Sequence, residues 1–428
     1  MTRRSSARGQ SASFSGGGRW PDSPFRWMWA ASATSLLGSE VGELAIPLFA
    51  LLFLGADAAD LALVRVSQFV PFLVLTLAVG VYVDRVRRRP LLITADLGRG
   101  VILAVIVVIA IWGSLPIWGL ALAALLVGSL TVLYQLADFA FLPVVVPRDH
   151  LASANARLSA TQSTMTVAGS GIGGFVVQAF TAPVAVAFNA VAYLLSAAFL
   201  TRVRAQEPKR DPLTTPRISA WAEAKEGFGF VARNRVVRAL VGEAATWNFF
   251  NEILLLGLTL HVIDVYSNGP IVLGALFVLA GLGAVAGASL SSRATSRFGY
   301  GRSLTTTLIV GNTAPLLFAL TSNGSPAAFA LYATAMALSG FGIGLANAQA
   351  VTVRQLATAP DLRGRVNAAY RFMSWGMIAV GAVAAGFVAT AWGGFTAMIV
   401  GAGGTTLASL WIILSPVRTL TDLELTPS

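Results

Sequence analysis

Long uncharged runs of apolar residues are the feature of this sequence that most restricts its fold. The segment 101–134 contains no charged residue in 34 positions. Because about 20 apolar residues cross the hydrocarbon core of a bilayer, such a run fits two membrane spans joined by a tight turn. Only 11% of the chain is charged, against roughly 25% in soluble domains. The sequence therefore predicts an all-α integral membrane protein.

The apolar segments divide the chain into twelve predicted spans. They lie near 27–54, 59–83, 91–113, 116–142, 155–180, 183–202, 237–263, 270–292, 303–321, 326–352, 366–391 and 394–415. Residues 203–236 form one long linker with six spans on each side of it. We expect a disordered N-terminal tail (1–26), a first half (27–202), a cytoplasmic linker with an amphipathic helix (203–236), a second half (237–415) and a C-terminal tail (416–428).

Basic residues indicate how the spans are oriented. If the side that bears the N-terminus is called the inner side, the inner loops hold nearly all the arginines and lysines, and the predicted outer loops hold none. Cytoplasmic loops carry such an excess, so both termini are predicted to be cytoplasmic, in the inner (plasma) membrane of the cell. The formal net charge of +11 then reflects topology and contact with anionic membrane lipid, and we expect no nucleic acid partner.

An offset of 212 residues aligns the second half with the first without gaps. At this offset six residues of the first half meet an identical residue in the second: Arg26 and Arg238, Glu40 and Glu252, Arg85 and Arg297, Asn155 and Asn367, Gly169 and Gly381, and Gly174 and Gly386. Parallel repeats of this kind are related by an axis along the membrane normal, and the substrate route lies between the halves near the midplane.

The loop between spans 2 and 3 reads GVYVDRVRRRP (80–90). It resembles the loop motif of the major facilitator superfamily, Gly-x-x-x-Asp-Arg-x-Gly-Arg-Arg, with Arg87 in place of the usual second Gly. Two further stretches, 226–240 and 360–376, resemble the drug and siderophore exporter branch that includes enterobactin-exporter-like proteins. The resemblance implies twelve transmembrane helices in two pseudo-symmetric six-helix halves, and an exporter.

Four ionisable residues inside the predicted spans are candidates for proton coupling or substrate binding. Glu40 and Glu43 lie one turn apart on one face of span 1, Arg65 lies in span 2, and Glu252 lies mid-membrane in span 7. A carboxylate in hydrocarbon is costly unless it faces a cavity or a partner, and burial with mutual repulsion favours its protonated form. The alternative is a permanent ion pair between Glu43 and Arg65.

Polar and aromatic residues near these groups are predicted to line the substrate cavity. They are Gln68 in span 2 and Trp247, Asn248 and Asn251 in span 7. Asparagine also forms hydrogen bonds between membrane helices, so a packing role is the alternative. Glycines in spans 5 and 11 predict close helix contacts: Gly169, Gly173, Gly174, Gly381 and Gly386.

By the resemblance, the loop motif forms a conformational latch. Its members would be Gly80, Asp84, Arg85 and Arg88, with Asp138 at the inner end of span 4. In this hypothesis Asp84 lies at the N-terminus of span 11, where the helix dipole favours an anion, and Arg85 or Arg88 bridges to Asp138.

Two other charged pairs inside the spans are not interpreted as transport residues. Asp96 and Arg99 lie three residues apart in span 3 and predict a local structural pair. Glu243 lies a turn or two inside span 7, and it is predicted to be interfacial with Arg238 as its partner.

The composition also bears on mechanism. The chain has no cysteine and two histidines, so no disulfide framework or metal site is expected. It has no Walker-type loop, so ATP is not the expected energy source. We expect a monomeric secondary transporter without a cofactor, driven by the proton gradient, that exports a small amphipathic organic compound such as a drug, antibiotic or siderophore. The alternatives are uptake of a nutrient or lipid by the same fold, or a non-transporting scaffold or enzyme.

The variant Asp84→Asn tests the latch. Removing the carboxylate's charge should weaken its attraction to the helix N-terminus and slow the transport cycle. The measurement is the initial rate of transport at matched protein levels in membrane vesicles, and a wild-type turnover would contradict the latch.

Overall fold

The described part of the chain is folded almost entirely into helices. The computed structural model describes residues 24–113, 115–147, 150–205, 207, 220–359 and 362–420, with the side chains at 77, 81, 84, 85, 152 and 220–224 outside the description. The helices are α1 (Pro24–Leu48), α2 (Ala58–Val74), α3 (Thr76–Arg85), α4 (Arg88–Ile111), α5 (Ile117–Val145), α6 (Leu151–Ala179), α7 (Ala182–Thr201), α8 (Ala220–Arg233), α9 (Arg235–Val265), α10 (Gly269–Phe298), α11 (Tyr300–Thr313), α12 (Pro326–Leu356) and α13 (Arg363–Ile413). A π-helical turn (Phe49–Phe53) continues α1, and 3-10 segments follow α11 (Ala314–Leu320) and α13 (Pro416–Thr419). The predicted tails lie mostly outside the described residues.

These helices account for twelve crossings of the membrane. Nine helical stretches of the described chain are long and apolar enough to span a bilayer. One of them, α13, holds two spans that meet at Gly393, whose φ of 83° suits glycine alone. A further span is α2 with α3, which is interrupted one turn after Pro71, a residue that cannot donate a helical hydrogen bond. The last is α6, whose many Ser, Thr, Asn and Gly residues make it less apolar. The predicted twelve-helix fold is confirmed.

Equivalent helices of the two halves cross at equivalent residues. A side-chain carbon at Gly169 of α6 would lie 2.5 Å from Glu40 Cβ on α1. At the repeat positions, a carbon at Gly381 of α13 would lie 3.1 Å from Glu252 Cβ on α9. Both crossings bring two backbones close together, which small residues allow. The predicted pseudo-symmetry of the halves is therefore confirmed at the level of single contacts.

At one crossing, the small residue lies on one helix in the first half and on the partner helix in the second half. In the first half, Gly42 of α1 makes room for Asn189 of α7. In the second half, the positions equivalent by the repeat hold Leu254 on α9 and Gly401 on α13. The large and small partners have exchanged helices, and the pair still fills the same place. Packing volume is conserved although the residues are not.

Two seams join the halves on the outer side of the bundle. Gly174 of α6 lies against Gly274 of α10, and a carbon added to Gly174 would approach the Gly274 Cα to 2.8 Å. The equivalent contact joins Gly386 of α13 to Ala62 of α2, where the distance would be 2.4 Å to the Ala62 Cβ. Both seams are therefore closed at this level.

Toward the inner side the two seams differ. Gly376 of α13 is packed against the Leu73 side chain of α2. The equivalent residues of the other seam, Thr164 of α6 and Val285 of α10, are both exposed. The α6–α10 seam is thus exposed at the level where the α2–α13 seam is packed.

Helix α8 of the linker packs on the inner end of α13. The Phe228 ring meets Phe372 edge to face with centroids 5.5 Å apart. Arg365 Nη1 donates to Glu226 Oε2 at 2.5 Å, and Val231 is buried. The apolar residues Phe228 and Val231 of this helix therefore face the protein.

The variant Gly401→Val should lower stability by about 1–3 kcal/mol, because overpacking forces the neighbouring backbone to move. A carbon at Gly401 would lie 2.3 Å from the Leu254 amide nitrogen. Gly403→Val is the matched control, since it lies two residues away in the same helix with no neighbouring atom within 4 Å. Thermal melting of the purified variants in detergent measures the difference, and equal melting temperatures would contradict the packing.

Candidate functional site

A cavity of about 320 Å³ lies between the two halves. Its walls come from α1, α2, α6, α9, α10 and α12, three helices of each half. Four charged residues line it: Glu40, Glu43, Arg65 and Glu252. Much of the remaining wall is apolar and includes Leu44, Leu61, Leu255, Leu256, Phe277 and Ile343. An apolar pocket of this size with a few convergent polar groups is typical of a small-molecule site.

The Arg65 guanidinium is held by two carboxylates that belong to different halves. Its Nε donates to Glu252 Oε1 at 2.6 Å and its Nη2 donates to Glu252 Oε2 at 2.9 Å, a two-point fork. Its Nη1 donates to Glu43 Oε1 at 2.6 Å. The Arg65 and Glu252 side chains are 9% and 4% exposed, whereas Glu43 is 45% exposed. The pair between the halves is therefore the desolvated one.

Two neighbours on α2 complete the surroundings of Arg65. Gln68 Nε2 donates to the second oxygen of Glu43 at 3.2 Å, and Gln68 Oε1 accepts from Arg65 Nη1 at 3.4 Å. The Arg65 guanidinium carbon lies 4.8 Å from the centre of the Phe69 ring. These contacts hold the guanidinium in place from the first half.

Glu40 shares the cavity but makes no ion pair with any described residue. Thr166 Oγ1 of α6 donates to Glu40 Oε1 at 2.9 Å. The cavity lining holds three carboxylates and one guanidinium. An uncompensated carboxylate inside a membrane is costly, so the excess negative charge favours the binding of a proton or a cation in the cavity.

The repeat shows that the polar wall belongs to the first half. The residues around the guanidinium have apolar counterparts, all on the cavity wall: Leu255 for Glu43, Phe277 for Arg65 and Ala280 for Gln68. One wall is therefore charged and the facing wall is mostly apolar, with Glu252 and Thr259 as its polar residues. This arrangement suits a compound with a polar part and an apolar part.

The structure brings five of the predicted site residues together: Glu40, Glu43, Arg65, Gln68 and Glu252. The sequence predicts Arg65 near Glu43 and Gln68, but not its pairing with Glu252. Thr166 was not predicted as a site residue. The available signal was its position, because Thr166 is a polar residue one turn before Gly169, the glycine that contacts α1.

The other predicted cavity residues lie elsewhere. Asn248 Nδ2 donates to the Ser374 carbonyl oxygen at 2.9 Å and to Ser374 Oγ at 2.8 Å, so it joins α9 to α13. Trp247 and Asn251 are partly buried, and like Asn248 they are not among the residues that line the described cavity. For Asn248, the geometry is that of the packing alternative.

The predicted latch is only partly visible. The side chains of Asp84 and Arg85 lie outside the description. The backbone amides of Arg88 and Arg89 both donate to Glu207 of the linker, at 2.7 and 2.8 Å, where a carboxylate suits the N-terminus of α4.

The two remaining members of the latch are better defined. Gly80 lies in α3 with no atom near the place of a side chain. Asp138 is partly buried, and the charged residues near it in the described part of the chain include Asp96 and Arg99. The latch remains a prediction.

Asp96 and Arg99 form a buried ion pair inside the first half. The two side chains are 0% and 2% exposed. Asp96 also accepts from Ser196 Oγ at 2.5 Å and from Ser35 Oγ at 3.3 Å. The Arg99 guanidinium lies between two tyrosine rings, 4.5 Å from Tyr134 and 4.2 Å from Tyr193. This pair ties α4 to α1, α5 and α7, so it extends well beyond a local contact.

The predicted partner of Glu243 is wrong. Asn312 Nδ2 of α11 donates to Glu243 Oε1 at 3.3 Å, and it also donates to Ser409 Oγ at 3.2 Å. Arg238 is exposed and donates to the Ala232 carbonyl oxygen. Glu243 therefore faces the helix bundle. Arg238 cannot be its partner, because the side chain of Arg238 starts more than one turn away and points to the surface.

Two pseudo-symmetric six-helix halves with a charged cavity between them define a membrane transporter. The chain belongs to the Major Facilitator Superfamily, whose family model matches residues 28–382. Membership places it among transporters and not among enzymes.

Two relatives are similar in sequence. Macrolide efflux protein A of Streptococcus pyogenes is 31% identical over 127 residues, which are 30% of this chain and 31% of that protein's length. The chain thus matches less than a third of the length of that relative. The uncharacterized MFS-type transporter YfiS of Bacillus subtilis (strain 168) is 24% identical over 356 residues, or 79% of this chain and 80% of the relative.

Two solved structures share the fold. The nucleoside transporter NupG is 11% identical, with a TM-score of 0.74 over 91% of this chain and 98% of its own. A bacterial homolog of the human lysosomal transporter Spinster, solved in an inward-facing and unoccupied conformation, is 15% identical with a TM-score of 0.68 over 95% and 98%. At such identities the likeness concerns the fold alone.

The variant Arg65→Met should lower stability by about 3–5 kcal/mol, because it leaves Glu252 buried without a cation. The double variant Arg65→Met with Glu252→Met should recover most of the loss, since apolar side chains of similar volume can replace a buried pair. Thermal melting in detergent compares the two. A double variant that melts no higher than the single variant would contradict a desolvated pair.

Proposed function

We propose that this chain is a proton-coupled exporter of a small amphipathic organic compound, and that Glu40 carries the proton. It would lie in the plasma membrane with both termini in the cytoplasm, act as a monomer, and need no cofactor besides the proton gradient. The observation that carries the proposal is the place of Glu40, a cavity carboxylate with a hydroxyl donor and no described cation partner.

The proposed cycle follows from the charge of the cavity. A proton taken up from outside neutralises Glu40, which makes the cavity less negative and lets the halves close around it. When the cavity opens inward, the proton leaves, and the Thr166 hydroxyl donates to the ionised carboxylate. The cargo then places its polar part on the charged wall and its apolar part against Leu255 and Phe277. Proton and cargo thus occupy the cavity in turn.

Support for export comes from the relative with a named activity. The likeness to a macrolide efflux protein covers 30% of this chain and favours outward movement of an organic compound. The apolar second-half wall is in keeping with such a cargo.

Uptake of a radiolabelled macrolide into everted membrane vesicles tests coupling and direction together. Export corresponds to uptake into everted vesicles that stops when a proton ionophore removes the gradient. Uptake that continues unchanged without a gradient would contradict coupling. Gradient-driven uptake by right-side-out vesicles alone would show import. Vesicles without the protein provide the background.

The variant Glu40→Gln should reduce macrolide uptake to the level seen without a gradient, because a side-chain amide cannot bind and release a proton near neutral pH. Glu243→Gln is the matched control: it removes another carboxylate from a membrane helix, one that faces Asn312 outside the cavity. Gradient-driven uptake should persist in the control. Retention of gradient-driven uptake by Glu40→Gln would remove Glu40 from the coupling role.

A further inference from the structure

The fork between Arg65 and Glu252 connects a helix of the first half to a helix of the second half. Arg65 lies on α2 of the first half and Glu252 on α9 of the second, with both hydrogen bonds at 2.9 Å or less. Alternating access moves one half against the other around the central site. This desolvated ion pair therefore cannot stay intact through the whole cycle if its two helices move apart.

We propose that Glu252 is a positioning residue that acts through Arg65 to keep the outer side of the transporter closed. The inference rests on the proposed transport function, but it assigns Glu252 no contact with cargo or proton. Glu252 holds the guanidinium on the second half, and the guanidinium holds α2 against the bundle.

The contacts around the pair place it at the outer seam. Ala62, one turn before Arg65 on α2, is the residue that meets Gly386 of α13. On the second half, Gly381 of the same helix lies against Glu252. The ion pair and the α2–α13 seam thus join the same surfaces, so movement of α2 away from α13 pulls Arg65 from Glu252.

Glu43 differs from Glu252 in one decisive respect. It also pairs with Arg65, at 2.6 Å, but it belongs to α1 of the same half. Gln68, beside Arg65 on α2, contacts both side chains. When the outer side opens, Arg65 can therefore keep Glu43 and Gln68 and lose only the fork to Glu252. The two glutamates share a cation, but only Glu252 is expected to affect closure of the outer side.

The absence of cysteine from the sequence makes the test direct. Spin labels are attached to cysteines placed at Ala59 and Ser267, two exposed positions at the outer ends of α2 and α9. Pulsed electron paramagnetic resonance then measures the distance between the halves on the outer side, in detergent or nanodiscs without cargo or proton gradient.

In the otherwise wild-type chain we expect one dominant short distance. The variant Glu252→Gln should raise the population at longer distances by about tenfold or more, because it keeps the volume but removes the charge that holds the fork. The matched control Glu43→Gln should leave the distribution unchanged. Arg65→Lys keeps the cation but cannot form the fork, and it should give an intermediate shift.

Two outcomes would overturn the inference. Equal shifts in Glu252→Gln and Glu43→Gln would mean that closure depends on how many carboxylates neutralise Arg65, and not on the ion pair between the halves. An unchanged distribution in Glu252→Gln and in Arg65→Lys would mean that the seam contacts alone close the outer side. Failure of proton-coupled export in vesicles does not affect either result, because the distance is measured without transport.

Discussion

A guanidinium inside a membrane protein is stable only where carboxylates and hydrogen bonds replace the water that it has lost. Arg65 meets this condition with two glutamates and a glutamine. The three groups come from α2, α1 and α9, so the charge is satisfied only when both halves are in place. The polar wall of the cavity and the ion pair between α2 and α9 both depend on this one arrangement.

The frame that brings these groups together is a duplicated six-helix unit. Its crossings are reproduced between halves even where the residues differ, as the exchange of Gly42 and Asn189 for Leu254 and Gly401 shows. Chemistry, in contrast, has not been reproduced. The second half has apolar side chains where the first has its glutamate, arginine and glutamine, and so the cavity became two-sided.

Much of this could be predicted from the sequence because hydropathy, charge placement and the repeat are local or linear signals. They predicted the spans, the equivalence of the halves and the mid-membrane position of Glu40 and Glu252. Pairing across the halves could not be predicted in the same way. The repeat relates Glu252 to Glu40, but it gives no information about which first-half residue Glu252 faces.

Two residues of α9 have partners that the sequence did not indicate, for a similar reason. Asn248 and Glu243 both lie on α9, and no sequence pattern indicates how that helix is rotated against α11 and α13. Their partners, Ser374 and Asn312, lie more than 60 positions along the chain, and no linear pattern connects them.

The exposed inner part of the α6–α10 seam has a consequence for how a cargo could reach the cavity. Because these two helices belong to different halves, a gap between them would open to the edge of the bundle, where the surrounding medium is lipid as well as water. An amphipathic compound partitions into the inner leaflet and is concentrated there relative to the cytoplasm. For such a compound, loading through this gap depends on its concentration in the leaflet. Two compounds with equal affinity for the cavity would then be handled differently according to their solubility in lipid.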